Sequence, residues 1–189
     1  MAGGHCEGMA VLSGLVFAGL VEPARLGGAE DHQAFDLRLE GNATLQREIS
    51  YYWATQSVGK VLEATVRGTP SKVLDALRKG LSTGEEQYTI GIYNRAGAGH
   101  AVTAFAVRDQ KDGQSHIMVY DNNFPSEEKY IVVDAKADTW VYATAALNPS
   151  EDAAPWDGDA KTESLEITPL SVRLGQMDCP YCGDGKGGD

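Results

Sequence analysis

The sequence has 189 residues, 42% of them hydrophobic, and a formal net charge of −11 at pH 7. A chain of this length and composition can bury one sizeable core, so one principal domain is expected. The strong negative charge argues against nucleic acid and against an anionic membrane surface as binding partners.

No targeting or membrane segment is expected from the sequence. The longest apolar stretch, residues 9–21, contains two glycines and a serine and is too short to span a bilayer. The residues after Met1 lack the basic start of a signal peptide. Three cysteines are too few for a disulfide framework, so cysteine usage does not distinguish an oxidising from a reducing compartment.

Three helices are predicted in the first part of the chain. Residues 8–21 are apolar nearly all round, which is typical of a buried central helix that ends before Pro23. Residues 42–66 carry apolar side chains at helical spacing and predict a second helix. The third helix follows Thr69, which suits an N-cap, and is expected to end before Gly80. The expected buried stripe of the second helix consists of Leu45, Ile49, Tyr52, Trp53 and Gln56.

The pattern then changes from helical to alternating, which predicts strands. The five predicted strands cover residues 87–93, 100–107, 115–121, 129–134 and 139–145. Residues 148–161, acidic and with two prolines, predict a loop, and residues 164–174 a further strand. Helices followed by an antiparallel sheet define an α+β class. We expect one domain over residues 1–174 and a mobile glycine-rich tail over residues 175–189.

Cys6 lies between a run of glycines and the first apolar helix. Such a cysteine is either a buried core residue or a nucleophile at a helix N-terminus, where the helix dipole favours the thiolate. Gly3 and Gly4 leave room for the backbone of a substrate, and Gly4 is therefore expected to support the nucleophile. A nucleophilic cysteine also needs a histidine as its base.

His100 is the strongest candidate for that base among the four histidines. The other three lie beside the cysteine, in a polar segment or in mid-strand. His100 begins a predicted strand, and a hairpin through Asp112-Gly113 brings Asp121 back towards it. A structural histidine held by a hydrogen bond is the competing interpretation.

The register of this hairpin decides which residue can orient His100. With a turn of two or four residues, Asp121 and Asn123 share a sheet face with His100, and Asn122 points to the other face. A three-residue turn reverses this result. The Asp-Asn-Asn run is by itself also typical of a turn that ends a strand.

Three motifs in this order resemble the papain-like cysteine peptidases, and their bacterial branch above all: GGHCEGMAVL, GHAVTAFAV and VYDNNFP. The resemblance covers residues 1 to about 145. It implies a papain-like α+β fold with Cys6 as the nucleophile, His100 as the general base and acid, and Asp121 as the orienting residue. Asn123 is implied as a supporting residue.

The resemblance implies hydrolysis of peptide amide bonds through a covalent intermediate, with a peptide or protein as substrate and no metal or organic cofactor. The family's oxyanion side chain, usually a glutamine about six residues before the cysteine, would fall before Met1, so either the sequence is a trimmed domain or its oxyanion hole is incomplete. We therefore expect Cys6 to alkylate while turnover is weak. A transglutaminase-type acyltransferase with the same three residues and an inactive papain-like module that binds a peptide or partner stay open as alternatives.

Cys179 and Cys182 form a CPYC motif near the end of the sequence. A thioredoxin-type redox site normally begins a helix after a strand, and this position offers neither. The pair is a weak candidate for half of a zinc knuckle completed elsewhere. A tail without a role in the site is the simplest interpretation.

Overall fold

The computed structural model describes residues 5–148, 150, 153–175 and 177. These residues confirm the α+β class, with one antiparallel sheet and helices against it. The helices are α1 (Cys6–Phe17), α2 (Ala43–Thr55), α3 (Gly59–Ala64) and α4 (Pro70–Leu81). The strands are β1 (Val66–Gly68), β2 (Tyr88–Tyr93), β3 (Gly99–Asp109), β4 (Ser115–Tyr120), β5 (Lys129–Asp134), β6 (Thr139–Ala145), β7 (Ala154–Asp159) and β8 (Leu165–Pro169). They lie in the order β1-β8-β2-β3-β4-β5-β6-β7. None of the helices in the described ranges has the length and apolar character needed to span a membrane.

Helix α1 is the buried central helix, with different bounds from those predicted. It begins at Cys6, so this residue opens the helix, and it ends at Phe17. Val11 and Leu15 are fully buried, as expected. The expectation of burial on all sides is wrong at the far end, where 67% of Phe17 is exposed. The buried residues of α1 therefore lie between Gly8 and Leu15, close to Cys6.

The single helix predicted over residues 42–66 is wrong. Asn42 caps α2 by accepting a hydrogen bond from the backbone of Leu45 at 3.0 Å, but α2 ends at Thr55. The chain then turns, forms the short α3 and continues into β1. Val58 in this turn and Val61 in α3 are buried, with 6% and 1% exposure, and their burial stabilises the change of direction.

Helix α4 begins as predicted, since the Thr69 side chain accepts a hydrogen bond from the backbone of Lys72. The expectation that Gly80 follows the helix is wrong, because Gly80 lies inside it and Ser82 is the C-cap. A Cβ atom at Gly80 would lie 1.9 Å from the hydroxyl oxygen of Tyr88. This glycine therefore serves the close approach of a neighbouring strand.

The five predicted strands are confirmed with small changes at their ends. The loop predicted over residues 148–161 is wrong, since it contains β7, which pairs with β6. Trp156 is 8% exposed and packs in the main core, so the acidic residues around it lie on the outer side of an edge strand. The predicted last strand is confirmed as β8, between β1 and β2, and a short 3-10 helix (Ser171–Arg173) follows it.

The sheet lies between two helices. On one face, the hydroxyl of Thr103 in β3 donates a 2.7 Å hydrogen bond to the carbonyl of Ala10 in α1. The neighbouring Val102 points to the other face and packs in a core cluster with Leu74 and Leu77 of α4. Adjacent residues of a strand point to opposite faces, so α1 and α4 cover different sides of the sheet.

A β-bulge decides the register of the β3–β4 hairpin. The five residues 110–114 separate the paired ends of the strands, and next to this turn Val107 faces Ile117. Because this number of turn residues is odd, the pairing next to the turn would by itself place Asp121 on the opposite face from His100. The register shifts by one residue between Ala104 and Ala106, so that Ala104 faces Val119. The predicted relation between His100 and Asp121 therefore holds, but the expected two- or four-residue turn is wrong.

Candidate active site

The structure brings together the three residues that the sequence singled out. Cys6 is the half-buried first residue of α1, His100 lies at the start of β3 with 4% exposure, and Asp121 directly follows β4 and is fully buried. Nε2 of His100 is 3.0 Å from each carboxylate oxygen of Asp121. The Cys6 thiol lies near the same ring and helps to raise its pKa. Because Asp121 occupies Nε2, Nδ1 is the ring nitrogen left for Cys6.

The electrostatics of the site favour an ion pair between His100 and Asp121. Burial of the ring lowers the pKa of His100, but the hydrogen bonds to Asp121 and Cys6 and their charges outweigh burial and raise it to about 9. Burial raises the pKa of Asp121, yet the hydrogen bonds from His100, Tyr142 and the backbone of Asn123 hold it below its ordinary value. At neutral pH the imidazole is therefore protonated and the carboxylate is ionised.

Two further groups hold the Asp121 carboxylate. The hydroxyl of Tyr142 donates a 2.7 Å hydrogen bond to Oδ2, and the backbone N–H of Asn123 donates one of 2.9 Å to Oδ1. The Asn123 side chain instead donates to the carbonyl of Ala146 at 2.6 Å. Asn123 thus supports Asp121 through its backbone, and its side chain holds the segment that follows β6. Sequence analysis did not identify Tyr142, because its strand is distant in the chain.

Asn122 points away from His100, as the register argument predicted. Its side-chain amide donates a 2.9 Å hydrogen bond to Oγ of Ser13 in α1. The Ser13 hydroxyl in turn donates to the carbonyl of Met9 at 2.8 Å. Asn122 therefore connects the loop after β4 to the middle of the helix that carries Cys6.

A buried ion pair behind Cys6 was not predicted from the sequence. Glu7, the next residue of α1, pairs with Arg173, which is 2% exposed. Arg173 also donates to the hydroxyl of Thr55 at the end of α2 at 2.6 Å, and Thr89 of β2 donates to Glu7 at 3.3 Å. Burial raises the pKa of Glu7 against the opposing effect of Arg173. The pair ties the start of α1 to three other parts of the fold.

An open cleft of about 400 Å³ contains Cys6 and His100. Trp53 and Leu62 line one part of it and are 41% and 57% exposed. Trp53 was expected in the buried stripe of the second helix, and this expectation is wrong because its ring lies at the cleft beside His5, 5.6 Å between ring centroids. Arg67, Tyr93 and Glu166 line another part of the cleft.

The remaining predicted site residues lie elsewhere. Gly4, Cys179 and Cys182 lie outside the described residues, so their roles stay predictions. Among the described residues there is no group of three His, Cys, Asp or Glu side chains that could hold a metal ion.

No protein-family model, curated protein or solved structure matches this chain. The chemistry that the site can perform is indicated by its geometry. A thiol, an imidazole and a buried carboxylate in contact can act as nucleophile, proton carrier and orienting group. His5, the N-cap of α1, makes no side-chain capping hydrogen bond, so its side chain does not occupy the first backbone N–H groups of the helix.

Proposed function

We propose that this chain is a papain-like cysteine peptidase domain that hydrolyses peptide bonds through an acyl-thioester on Cys6. The observation that supports the proposal is the chain of contacts from the Cys6 thiol through His100 to the buried Asp121. The α+β order, with Cys6 opening a buried helix and His100 and Asp121 on adjacent strands, agrees with the family resemblance of the three motifs.

The first half of the reaction forms the thioester. The Cys6 sulfur attacks the carbonyl carbon of the substrate and makes a C–S bond, and the carbonyl oxygen takes the negative charge. The backbone N–H of Cys6 at the start of α1 donates to that oxygen. The C–N bond then breaks, and the His100 imidazolium gives its proton to the leaving amine.

The second half of the reaction restores the enzyme. Neutral His100 accepts a proton from water, and the resulting hydroxide equivalent attacks the thioester carbon. The C–S bond breaks, the carboxylic acid product leaves, and the proton remains on the imidazole beside the thiolate. Asp121 holds the ring in one orientation throughout and stabilises its charged form.

The shape of the cleft supports a peptide or protein substrate. It is open to solvent, and Trp53, Leu62 and Arg67 line it together with Cys6 and His100. A substrate bound at Cys6 can therefore contact side chains from several elements of the fold besides the nucleophile. With a net charge of −11, nucleic acid and anionic membranes are not proposed as partners.

The proposal is tested by labelling with a peptide that carries an electrophile. At pH 6, where an ordinary thiol is almost fully protonated, Cys6 should react faster than Cys179 and Cys182. His100→Ala should slow this labelling at least about tenfold, because no imidazolium remains to hold a thiolate. The matched control is His116→Gln, since His116 stacks on Tyr130 on another part of the sheet.

Mass mapping and product analysis decide the outcome. Faster reaction of Cys179 or Cys182, or labelling of Cys6 that is indifferent to His100→Ala, contradicts the nucleophile assignment. Cleavage of unmodified peptides that Cys6→Ser abolishes supports hydrolysis. Product formation that requires an added amine indicates acyl transfer instead, and labelling without any turnover indicates a binding module.

A further inference from the structure

Four residues from four strands form one row beside His100. Ala101 of β3 faces Gly91 of β2, Gly91 faces Glu166 of β8, and Glu166 faces Arg67 of β1. Residues directly opposite each other in a sheet point to the same face. All four also line the cleft that contains Cys6. The row therefore forms part of the cleft floor and leads from the strand of His100 to Arg67.

Glycines allow two large side chains to lie flat on this floor. A Cβ atom at Gly91 would lie 2.8 Å from Oε1 of Glu166, so the Glu166 side chain extends over Gly91 towards β3. A Cβ atom at Gly99 would lie 2.9 Å from the ring of Tyr93, which covers Gly99 in the same way. The Tyr93 hydroxyl donates a 2.7 Å hydrogen bond to Oε1 of Glu166.

Arg67 is the charged group that this part of the cleft presents to solvent. Its Nε donates a 2.6 Å hydrogen bond to Oε2 of Glu166, and its Nη2 pairs with the same oxygen. Glu166 is thereby engaged at both oxygens, and its side chain is 13% exposed. The Arg67 side chain also interacts with Tyr93, yet 59% of it is exposed. One edge of the guanidinium is held and the rest faces outwards.

The other charges of the cleft do not compete for a ligand. Glu7 and Arg173 neutralise each other, and Arg173 is buried. Thr65 and Thr168 bond to each other through their hydroxyls at 2.9 Å. Glu166 is paired with Arg67 and its side chain is only 13% exposed, so the Arg67 guanidinium is the charged group of this wall that a ligand can reach.

We propose that Arg67 binds a carboxylate of the peptide held at Cys6, so that the cleft selects substrates with an aspartate or glutamate at one position. The inference rests on the proposed function, because it concerns the substrate of that same site. A guanidinium whose orientation is already fixed by Glu166 loses little further freedom when it binds a ligand, which favours recognition of a planar carboxylate.

The spacing of the sheet places the selected residue. Neighbouring strands lie about 4.8 Å apart, so the backbone of Glu166 is about 10 Å from the strand of His100, while its carboxylate, which holds Arg67, reaches back over Gly91. An extended peptide covers about 5 to 10 Å with two or three residues. The acidic residue is therefore expected two or three positions from the cleaved bond, on the side of the substrate that passes over Gly91.

The overall charge of −11 opposes acidic peptides at long range, so the test is best made at 0.15 M salt. At that ionic strength the screening length is about 8 Å, and the contact with Arg67 is shorter than this distance. The selectivity measured there reports the local contact rather than the field of the whole chain.

The experiment is cleavage of a peptide library of random sequence by the wild-type chain, Arg67→Gln and Arg95→Gln. Arg95 is the matched control, since its side chain is 58% exposed and pairs with Asp157 at 2.6 Å outside the cleft. The wild type should enrich Asp and Glu over Asn and Gln about tenfold at one position. Arg67→Gln should lose this preference and Arg95→Gln should keep it. Arg67→Lys keeps the charge but not the paired N–H donors of the guanidinium, so its preference for acidic residues should be intermediate.

Retention of the same library on immobilised Cys6→Ser and Cys6→Ser/Arg67→Gln separates the two proposals. Cleavage without acidic enrichment, or with an enrichment that survives Arg67→Gln, overturns the inference and leaves hydrolysis intact. If nothing is cleaved, the proposed hydrolysis fails, and the retention experiment alone then tests whether Arg67 binds acidic peptides. Acidic peptides held by Cys6→Ser and released by the double variant support the inference. Equal retention by both, or none by either, overturns it.

Discussion

The hydroxyl of Tyr142 donates a 2.7 Å hydrogen bond to Oδ2 of Asp121, and both residues are at most 1% exposed. Burial and the neighbouring Asp121 charge raise the pKa of Tyr142, so the hydroxyl stays a donor across the working pH range. Tyr142 and His100 thus approach the same carboxylate from different strands. This relationship makes Tyr142 a positioning residue for the proposed base.

Tyr142→Phe is expected to lower kcat by about three- to tenfold and the free energy of unfolding by about 1 kcal/mol, because one hydrogen bond to a buried carboxylate is lost. Peptide hydrolysis and urea denaturation measure the two effects. Tyr130→Phe is the control, since Tyr130 is 42% exposed. Equal destabilisation with an unchanged kcat and pH profile would assign Tyr142 a purely structural role.

Asp121→Ala is expected to reduce kcat by about 100-fold or more, whereas Asn122→Ala should change it little. Asp121 is hydrogen-bonded to His100, while Asn122 donates to Ser13 on the other side. Steady-state hydrolysis measures the effect, with thermal melting to check that both variants fold. Asp121→Asn keeps the size of the side chain but removes its charge, so it separates the effect of the charge from that of the shape. A larger loss from Asn122→Ala would show that this loop is arranged differently in the active protein.

Stability is expected to fall in mildly alkaline solution because of His100. Its pKa is raised from 6.5 to about 9 in the folded chain. The stabilisation is therefore complete below about pH 6.5 and is lost as the pH rises through about 9. Its size is on the order of 3 kcal/mol.

Urea denaturation of the wild type and His100→Gln between pH 6 and 10 checks this prediction. Groups other than His100 contribute to both curves, so their difference isolates the histidine. The wild type should lose stability over this range by clearly more than His100→Gln. Parallel curves would mean that His100 gains no proton affinity on folding.

Gly80→Ala is expected to destabilise the fold by about 1 to 3 kcal/mol, although alanine is normally the better helix former. The new Cβ would overlap the Tyr88 ring, with the hydroxyl oxygen 1.9 Å away. Gly59→Ala is the control, because a Cβ there meets nothing within 4 Å. Chemical denaturation measures both variants, and Tyr88→Ala in the Gly80→Ala background should recover part of the loss. An increase in stability for Gly80→Ala would contradict this packing.

Local signals in the sequence were sufficient for most of the strands, for the start of α4 and for the choice of candidate site residues. The alternation of residues 87–145 predicts five of the strands, and Thr69 marks the start of α4. Cys6, His100 and Asp121 lie in motifs whose order along the chain already points to one constellation. These features depend on residues close in sequence, where side-chain period and capping chemistry act directly.

The hairpin register shows where such reasoning stops. The five-residue turn alone would separate His100 from Asp121, and the bulge at residues 104–106 reverses that effect. No local sequence signal identifies this bulge. It is favoured because the shift places Val107 and Ile117 in the same core as Ala104 and Val119.

Tertiary structure alone decided the surroundings of the site. Arg173 meets Glu7 across 166 positions of the chain, and Glu166 meets Arg67 across 99. β8 brings both contacts to the cleft by pairing between β1 and β2, a placement that depends on burying its apolar side chains between distant strands. The sequence by itself therefore determined the central helix, the start of α4, most of the strands and the three candidate site residues, but not the end of α2, β1 or β7. Which charges stand beside the site residues depended on long-range strand pairing, because contacts between residues far apart in the chain have no local periodic signal.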